Sequence, residues 1–115
     1  MKREFRLTRS TEILRVRRLG KSYAHPLLVL YVFASAEPQT RVGVTASHAV
    51  GGAVQRNRAK RRIRACIDQV TLSIAPGWNM IVLARRQVLK APFNDVCSAL
   101  KALLNQAGVF VKEKS

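Results

Sequence analysis

The most distinctive chemistry in the sequence is a group of cationic side chains between residues 56 and 64. Six of these nine positions are basic, and five of the six basic residues are arginines. The basic residues are Arg56, Arg58, Lys60, Arg61, Arg62 and Arg64, and Asn57 stands between the first two. The planar guanidinium group forms paired hydrogen bonds with phosphate oxygens and with guanine more readily than an ammonium group does. The group therefore indicates a surface that binds nucleic acid.

Helical spacing separates these cations from an apolar stripe. At about 100° per residue, five apolar side chains fall within about 100° of arc, and they are Ala59, Ile63, Cys66, Ile67 and Val70. Asn57, Arg61 and Arg64 form the centre of the opposite face. A solvated helix face normally alternates opposite charges, whereas like charges four residues apart destabilise a helix by a few tenths of a kcal/mol per pair, an order-of-magnitude value. We interpret the face as an RNA-binding surface; a membrane is disfavoured because the stripe lacks Trp, Phe and Leu.

The remaining polar side chains do not suggest acid–base or metal catalysis by the protein itself. The six acidic residues are scattered, and they are Glu4, Glu12, Glu37, Asp68, Asp95 and Glu113. His25 and His48 show no metal-ligand spacing relative to each other or to the cysteines. We therefore predict no catalytic side chain and no metal site in the protein. Cys66 and Cys97 form no C-x-x-C pair, and we expect both to be reduced residues of the core.

Composition limits the chain to one folded, strongly cationic domain. It has 115 residues with 21 Lys and Arg against 6 Asp and Glu, a formal net charge of +15, and 48% hydrophobic residues. This length predicts a single domain over residues 1–115. The longest apolar run, residues 27–34, is far shorter than a membrane span of about 20 residues. The N-terminal residues contain no apolar secretory segment, so a cytoplasmic location is expected.

Helices and strands alternate in the predicted secondary structure. The predicted order is a helix between Ser10 and Gly20, strands over 27–34 and 41–46, a helix over about 53–70, a strand over 78–84 and a helix from 92–94 to 107. Ser10 is predicted to cap the first helix, and Gly20 to end it. Residues 20–26 are expected to form a turn, and residues 37–40 a hairpin connection. A small sheet that alternates with helices predicts an α+β sandwich.

The residues around the cationic group resemble the signature of the bacterial ribonuclease P protein subunit. Residues 42–47 read Val-Gly-Val-Thr-Ala-Ser, and residues 56–64 follow the pattern R-N-R-x-K-R-x-x-R, in which the Arg-Asn-Arg motif is the core. The similarity extends to Arg6-Leu7 before the first helix, to a strand that contains Tyr31, and to Ala84-Arg85-Arg86. Most of the chain is covered by the resemblance.

The resemblance implies both a fold and a role. The fold would be an αβββαβα sandwich with a small mixed sheet, in which the Arg-rich helix forms a left-handed crossover, as in a ribosomal-protein-like fold. The protein would be a subunit of an endoribonuclease that removes the 5′ leader from precursor tRNA. Hydrolysis would belong to the catalytic RNA subunit and its Mg²⁺ ions, and the partners of the protein would be that RNA and the precursor tRNA. The alternative is a noncatalytic RNA-binding protein of the ribosomal or RNA-chaperone type.

The resemblance also implies roles for individual residues. RNA binding would involve Arg56, Asn57, Arg58, Lys60, Arg61, Arg62 and Arg64. The leader cleft, between the first helix and the sheet, would be lined by Phe5, Ile13, Arg17, Tyr31, Thr45, Lys60, Arg61 and Arg64. Ile13 and Arg17 stand where many members of the family have phenylalanines. We expect Ile13 to supply an apolar floor. Arg17 would contact phosphate or stack through its guanidinium group, and the alternative is an arginine of the solvated helix surface.

Overall fold

The computed structural model describes residues 5–111, which form three helices and four strands. In chain order these are α1 (Ser10–Leu19), β1 (Lys21–Ala24), β2 (Leu28–Ala34), β3 (Arg41–Ala46), α2 (Ala53–Val70), β4 (Trp78–Ala84) and α3 (Phe93–Ala107). The α+β class predicted from the residues and the αβββαβα order implied by the family resemblance are confirmed. The handedness of the crossover from β3 through α2 to β4 stays a prediction. Within the described residues, no helix has the length and apolar character that a membrane crossing requires.

The four strands form one mixed sheet in the order β1-β2-β4-β3. The β1/β2 and β2/β4 pairs are antiparallel, and the β3/β4 pair is parallel. Because β4 lies between β2 and β3, the predicted hairpin over residues 37–40 is wrong. The buried Thr40 hydroxyl donates to the Ala75 carbonyl oxygen at 2.6 Å and accepts from the Trp78 N–H at 3.1 Å. These contacts attach the β2–β3 connection to the start of β4.

The sheet separates α1 from the two other helices, because successive side chains of a strand point to opposite faces. Leu28, Leu30 and Val32 belong to the larger core, which includes the buried side chains of α2 and α3. A smaller core of Leu7, Val16 and Ile81 lies on the opposite face beneath α1. The buried residues of α2 are the five apolar residues of the predicted stripe, so the helical pattern assigned from the sequence is confirmed.

Two local predictions near α1 are wrong. Ser10 is the first helical residue, and Arg9 takes the N-cap position without a side-chain hydrogen bond. Residues 20–26 contain β1, a short and mostly exposed strand whose polar sequence carries no apolar alternation. Gly20 lets the end of α1 approach β2 closely, because a Cβ atom there would lie 2.5 Å from the Val16 carbonyl oxygen and 2.6 Å from that of Val32.

The prediction of two reduced cysteines is also wrong. Cys66 of α2 and Cys97 of α3 form a disulfide, with their Cα atoms 5.0 Å apart. Both residues are buried, with exposed fractions of 1% and 5%. No pattern in the sequence indicates this bond, because only the packing of α2 against α3 brings the two positions together.

Candidate nucleic-acid interface

The side of α2 that faces away from the core presents most of the predicted RNA-binding residues. Asn57, Arg58 and Arg61 are exposed, and they lie opposite the buried stripe. Arg56, Lys60 and Arg64 are half-buried and follow one flank of the helix at intervals of four residues. We call this row the β3 flank, because its first two members meet the end of β3. Helical spacing thus arranges the cations in a continuous strip along α2.

A polar cavity joins the β3 flank to the sheet. It has a volume of about 190 Å³, and it is lined by Thr45, Ala46, Ala53, Arg56, Asn57 and Lys60. β3 is an edge strand, so this cavity opens at the side of the sheet. The structure therefore brings Thr45, a predicted cleft residue, together with the first half of the Arg-Asn-Arg helix.

The β3 flank carries cationic donors that the protein leaves without acceptors. Among the described residues, the Nε–H groups of Arg56 and Arg64 are buried and have no hydrogen-bond partner. Burial lowers the pKa of Arg64 below its ordinary value, and the nearby charge of Arg6 lowers it further. Both effects disfavour the charged form of Arg64. An anion placed between Arg6 and Arg64 would stabilise that charged form and so offset them. The flank is thus electrostatically suited to phosphate.

Arg56 also contacts a residue outside α2. Its Nη1 lies 3.2 Å from Nδ1 of His48, which belongs to a 3₁₀ turn at His48–Val50. Because a guanidinium group only donates, this contact requires Nδ1 to be the acceptor. The Ser47 side chain in turn accepts a hydrogen bond from the Ala49 N–H at 3.1 Å. The connection between β3 and α2 therefore helps to orient the first arginine of the motif.

Arg62 has a different environment from the other cations of α2. It lies on the flank away from β3, where its Nη1 donates to the Val88 carbonyl oxygen and its Nη2 to the Ala91 carbonyl oxygen, each at 2.7 Å. The sequence placed Arg62 with the RNA-binding residues. The structure gives it a tertiary contact with the connection between β4 and α3.

The face of the sheet that lies beneath α1 is only partly covered. Leu83 pairs with Val29 on one side and with Thr45 on the other, and these three residues are half-buried. Tyr31 lies on the same face, because it is two residues along β2 from Val29. The guanidinium carbon of Arg17 lies 5.6 Å from the centre of the Tyr31 ring, within the range of a cation–π contact. Tyr31, Val29, Leu83 and Thr45 thus form a row of partly exposed side chains that runs across the sheet to the cavity at Thr45.

The predicted cleft residues do not all lie on this face. Ile13 and Tyr31 pack against the smaller core beneath α1. Phe5 instead packs against the larger core, which contains the buried residues of α2 and α3. The exposed Arg61 and the half-buried Lys60 and Arg64 follow α2. Two rows result, one on the sheet and one on α2, and Thr45 lies where they meet.

Sequence reasoning did not select Val29 and Leu83, which form part of the open sheet face. Their alternation with the buried residues of β2 and β4 was the signal that could have identified them. Arg6 entered only through the family resemblance, and its proximity to Arg64 depends on the bridge between Arg6 and Val42. No sequence pattern encodes that contact.

The described residues contain no group of three or more His, Cys, Asp or Glu side chains that could hold a metal ion. The polar groups of this interface are guanidinium, ammonium, amide and hydroxyl groups, which suit phosphate and sugar oxygens rather than a divalent cation. The arrangement can bind and orient a polyanion.

The mixed α+β fold and the cationic strip along α2 together define a small RNA-binding protein. The family model described as Ribonuclease P matches residues 1–108. The chain therefore belongs to the ribonuclease P protein family. This assignment confirms the prediction of a ribonuclease P protein subunit and favours it over the ribosomal or chaperone alternative.

Individual relatives agree with the family assignment. The chain is 38% identical over 108 residues to the ribonuclease P protein component of Chloroflexus aurantiacus, with 93% of this chain and 80% of the relative covered. It is 35% identical over 109 residues to the corresponding protein of Geobacillus kaustophilus, with 94% and 90% covered. The solved structure of the Staphylococcus aureus RNase P protein superposes with a TM-score of 0.83 at 27% identity, covering 93% of this chain and 98% of that one.

Proposed function

We propose that this chain binds the catalytic RNA of ribonuclease P through α2 and helps that RNA to remove the 5′ leader of precursor tRNA. The cationic strip along α2 is the observation that carries the proposal. Arg56, Asn57 and Arg58 would form the core of the RNA contact, with Lys60, Arg61 and Arg64 continuing it. Guanidinium groups held on a rigid helix bind phosphate oxygens in fixed geometry at little entropic cost.

The leader of precursor tRNA would follow the open face of the sheet. Its path would begin at Arg17 and Tyr31, pass Val29 and Leu83, and reach the cavity at Thr45. A single strand fits such a path because bases can stack on aromatic and guanidinium planes while cations neutralise the phosphates. Contacts of this type carry little sequence information, so many leader sequences would be accepted.

The chemistry of cleavage belongs, in this proposal, to the RNA subunit. Mg²⁺ ions held by that RNA would supply the activated water and stabilise the leaving oxygen. The side chains of this chain bind, orient and neutralise charge, and none of them acts as a general acid or base. We propose that the protein performs this role in the cytoplasm.

Reconstitution tests the proposal. The purified chain is added to the cognate catalytic RNA and a precursor tRNA at low Mg²⁺, and release of the leader is followed with time. We expect the chain to increase the cleavage rate, because its cations lower the Mg²⁺ concentration that the RNA needs to hold its substrate. The matched control is mature tRNA, which has no leader to release.

Two outcomes would contradict the proposal. Absence of stimulation at every Mg²⁺ concentration would remove the role in leader cleavage. If the chain instead captures mainly ribosomal RNA when bound RNA is recovered and sequenced, the alternative of a noncatalytic RNA-binding protein would stand. Cleavage by the chain after all RNA has been removed would transfer the chemistry to the protein.

A further inference from the structure

The connection between β4 and α3 is held in one conformation by contacts from three directions. Its residues 85–91, here called the turn segment, contain the backbone hydrogen bonds from the Val88 N–H to the Arg85 carbonyl oxygen and from the Lys90 N–H to that of Gln87. Val88 is fully buried in the larger core. The Arg85 N–H donates to the Leu27 carbonyl oxygen at 3.0 Å, which attaches the segment to the residue just before β2.

Arg62 supplies the contact from α2. Its two hydrogen bonds to the Val88 and Ala91 carbonyl oxygens span the second half of the turn segment. At these distances, the two carbonyl oxygens match the two donating nitrogens of the guanidinium group in charge and in geometry. Arg62 thus fixes the segment relative to the cationic helix.

The turn segment presents cations to solvent beside the same flank of α2. Arg85, Arg86 and Lys90 are exposed, and Nη1 of Arg85 donates to the His25 carbonyl oxygen at 3.2 Å. Arg58 is also exposed, and it precedes Arg62 by one helical turn on that flank. The sequence from residue 69 to residue 94 contains no Asp or Glu. The acidic residues on either side of this window are Asp68 of α2 and Asp95 in the first turn of α3.

We propose that Arg86 and Lys90 form a second phosphate-binding surface, which continues the RNA contact of Arg58 beyond α2, and that Arg62 is the positioning residue that holds the turn segment in place for it. This inference rests on the proposed function, because its partner is the phosphate backbone of the catalytic RNA. The turn segment packs on the α2 and α3 side of the sheet, whereas the path proposed for the leader lies on the α1 side. The second surface therefore engages the catalytic RNA and not the leader.

The first test removes two of the three exposed cations of the turn segment, and it leaves Arg85 in place because its Nη1 donates to the His25 carbonyl oxygen. Binding of the chain to transcribed catalytic RNA is measured over a series of salt concentrations for the wild type and for Arg86→Ala/Lys90→Ala. We expect the slope of log affinity against log salt to become shallower by about 1.5, because each lost phosphate contact removes about 0.7 to 0.9 from it. Arg18→Ala/Lys101→Ala is the matched control, since it removes two exposed cations from the outer surfaces of α1 and α3.

The second test separates positioning from direct contact. Arg62→Met keeps an apolar stem and removes the donors to Val88 and Ala91, and its folding is checked by thermal unfolding. We expect the slope to change as in the double variant, and no further change when Arg62→Met is added to Arg86→Ala/Lys90→Ala. Additional loss in that background would mean that Arg62 itself contacts RNA, and it would overturn the positioning role. The first test stands even if Arg62→Met fails to fold.

The remaining outcomes distinguish this inference from the proposed function. Equal slopes for Arg86→Ala/Lys90→Ala and its control, with wild-type binding intact, would overturn the second surface and leave the proposed function standing. Absence of wild-type binding to the catalytic RNA would overturn both. In a parallel experiment, the reconstituted enzyme is titrated with precursor tRNA. If Arg86→Ala/Lys90→Ala weakens binding of precursor tRNA but not of the catalytic RNA, the second surface binds the substrate, and the assignment to the catalytic RNA is overturned.

Discussion

Arg17 of α1 and Tyr31 of β2 form a cation–π contact. The Arg17 guanidinium lies over the Tyr31 ring at the end of the open sheet face, next to the half-buried Ile13. A cation over an aromatic ring retains its charge and its outward donors, so it can still bind a phosphate. An aromatic side chain at position 17 would instead offer only stacking. The pair therefore makes this end of the proposed leader path electrostatic.

Arg17→Ala tests this contact. We expect the reconstituted enzyme to bind leader-bearing precursor tRNA about three- to tenfold more weakly, from the loss of one cation–π-supported phosphate contact. Affinity for the catalytic RNA should not change. Arg18→Ala is the control, because Arg18 is equally basic and exposed and lies with Leu14 and Leu19 on the outer side of α1. Equal losses for both variants, measured by titration of labelled substrate, would contradict the assignment.

Arg61 and Ile63 occupy opposite sides of α2 and should respond differently to truncation. Arg61 is exposed and Ile63 is fully buried. We expect Arg61→Ala to weaken RNA binding while changing the free energy of unfolding by less than about 0.5 kcal/mol. Ile63→Ala should lower that free energy by about 2–5 kcal/mol, because it leaves a cavity in the core. Chemical denaturation and RNA titration of both variants would show this, and a similar loss of stability in the two would contradict the geometry.

The disulfide connects the RNA-binding helix to α3. Cys66 belongs to the buried stripe of α2, and Cys97 lies in the first half of α3. The sulfur atoms are enclosed by the larger core, so a reductant reaches them only when the two helices separate. The bond therefore limits how far α2 can move relative to the rest of the molecule.

Reduction of the disulfide should destabilise the fold. The bond closes a segment with a sequence separation of 31, and loop-closure entropy for that length gives about 3–4 kcal/mol. We expect a reductant to lower the free energy of unfolding of the wild type by about this amount, and therefore to lower its denaturant midpoint. The control is Cys66→Ala/Cys97→Ala, whose midpoint should be the same with and without reductant. A wild-type midpoint that does not respond to reductant under denaturing conditions would contradict the bond.

The molecule as a whole keeps a large excess of positive charge on a small body. Its formal net charge is +15, and among the described residues the structure records an ion pair between Arg41 and Glu37 at 3.5 Å. Self-repulsion of this size disfavours the compact state, and a polyanionic partner relieves it. The distribution of the charge also matters, because α2 presents cations on two flanks that face different parts of the surface.

Binding to RNA should therefore depend steeply on salt. About six phosphate contacts from α2 and its surroundings would give a log–log slope of about −4 to −5. Affinity for the catalytic RNA is to be measured over a series of NaCl concentrations, with sucrose at matched osmolality as the control. Sucrose should leave the affinity unchanged. A slope shallower than about −2 in NaCl would show that most of the cations on α2 do not contact phosphate.

The sequence alone determined the features that depend on short-range periodicity and residue type. The bounds of β3, α2 and β4, the buried stripe from Ala59 to Val70 and the cationic face opposite it all follow from repeats of 2 and 3.6 residues. The Arg-Asn-Arg motif likewise identified the family that the comparisons confirm. These features are local, because each depends on side chains within a few turns of one element.

Only the tertiary structure decided which distant segments meet. The insertion of β4 between β2 and β3, the bond between Cys66 and Cys97, and the contact of Arg62 with the turn segment each join positions far apart in the chain. Residue type at one position does not encode such pairings, since many partners would satisfy the same thiol, donor or strand edge. Packing of the whole core selects one of them, and here that selection directs Arg62 to the Val88 and Ala91 carbonyls while leaving Arg61 exposed to solvent.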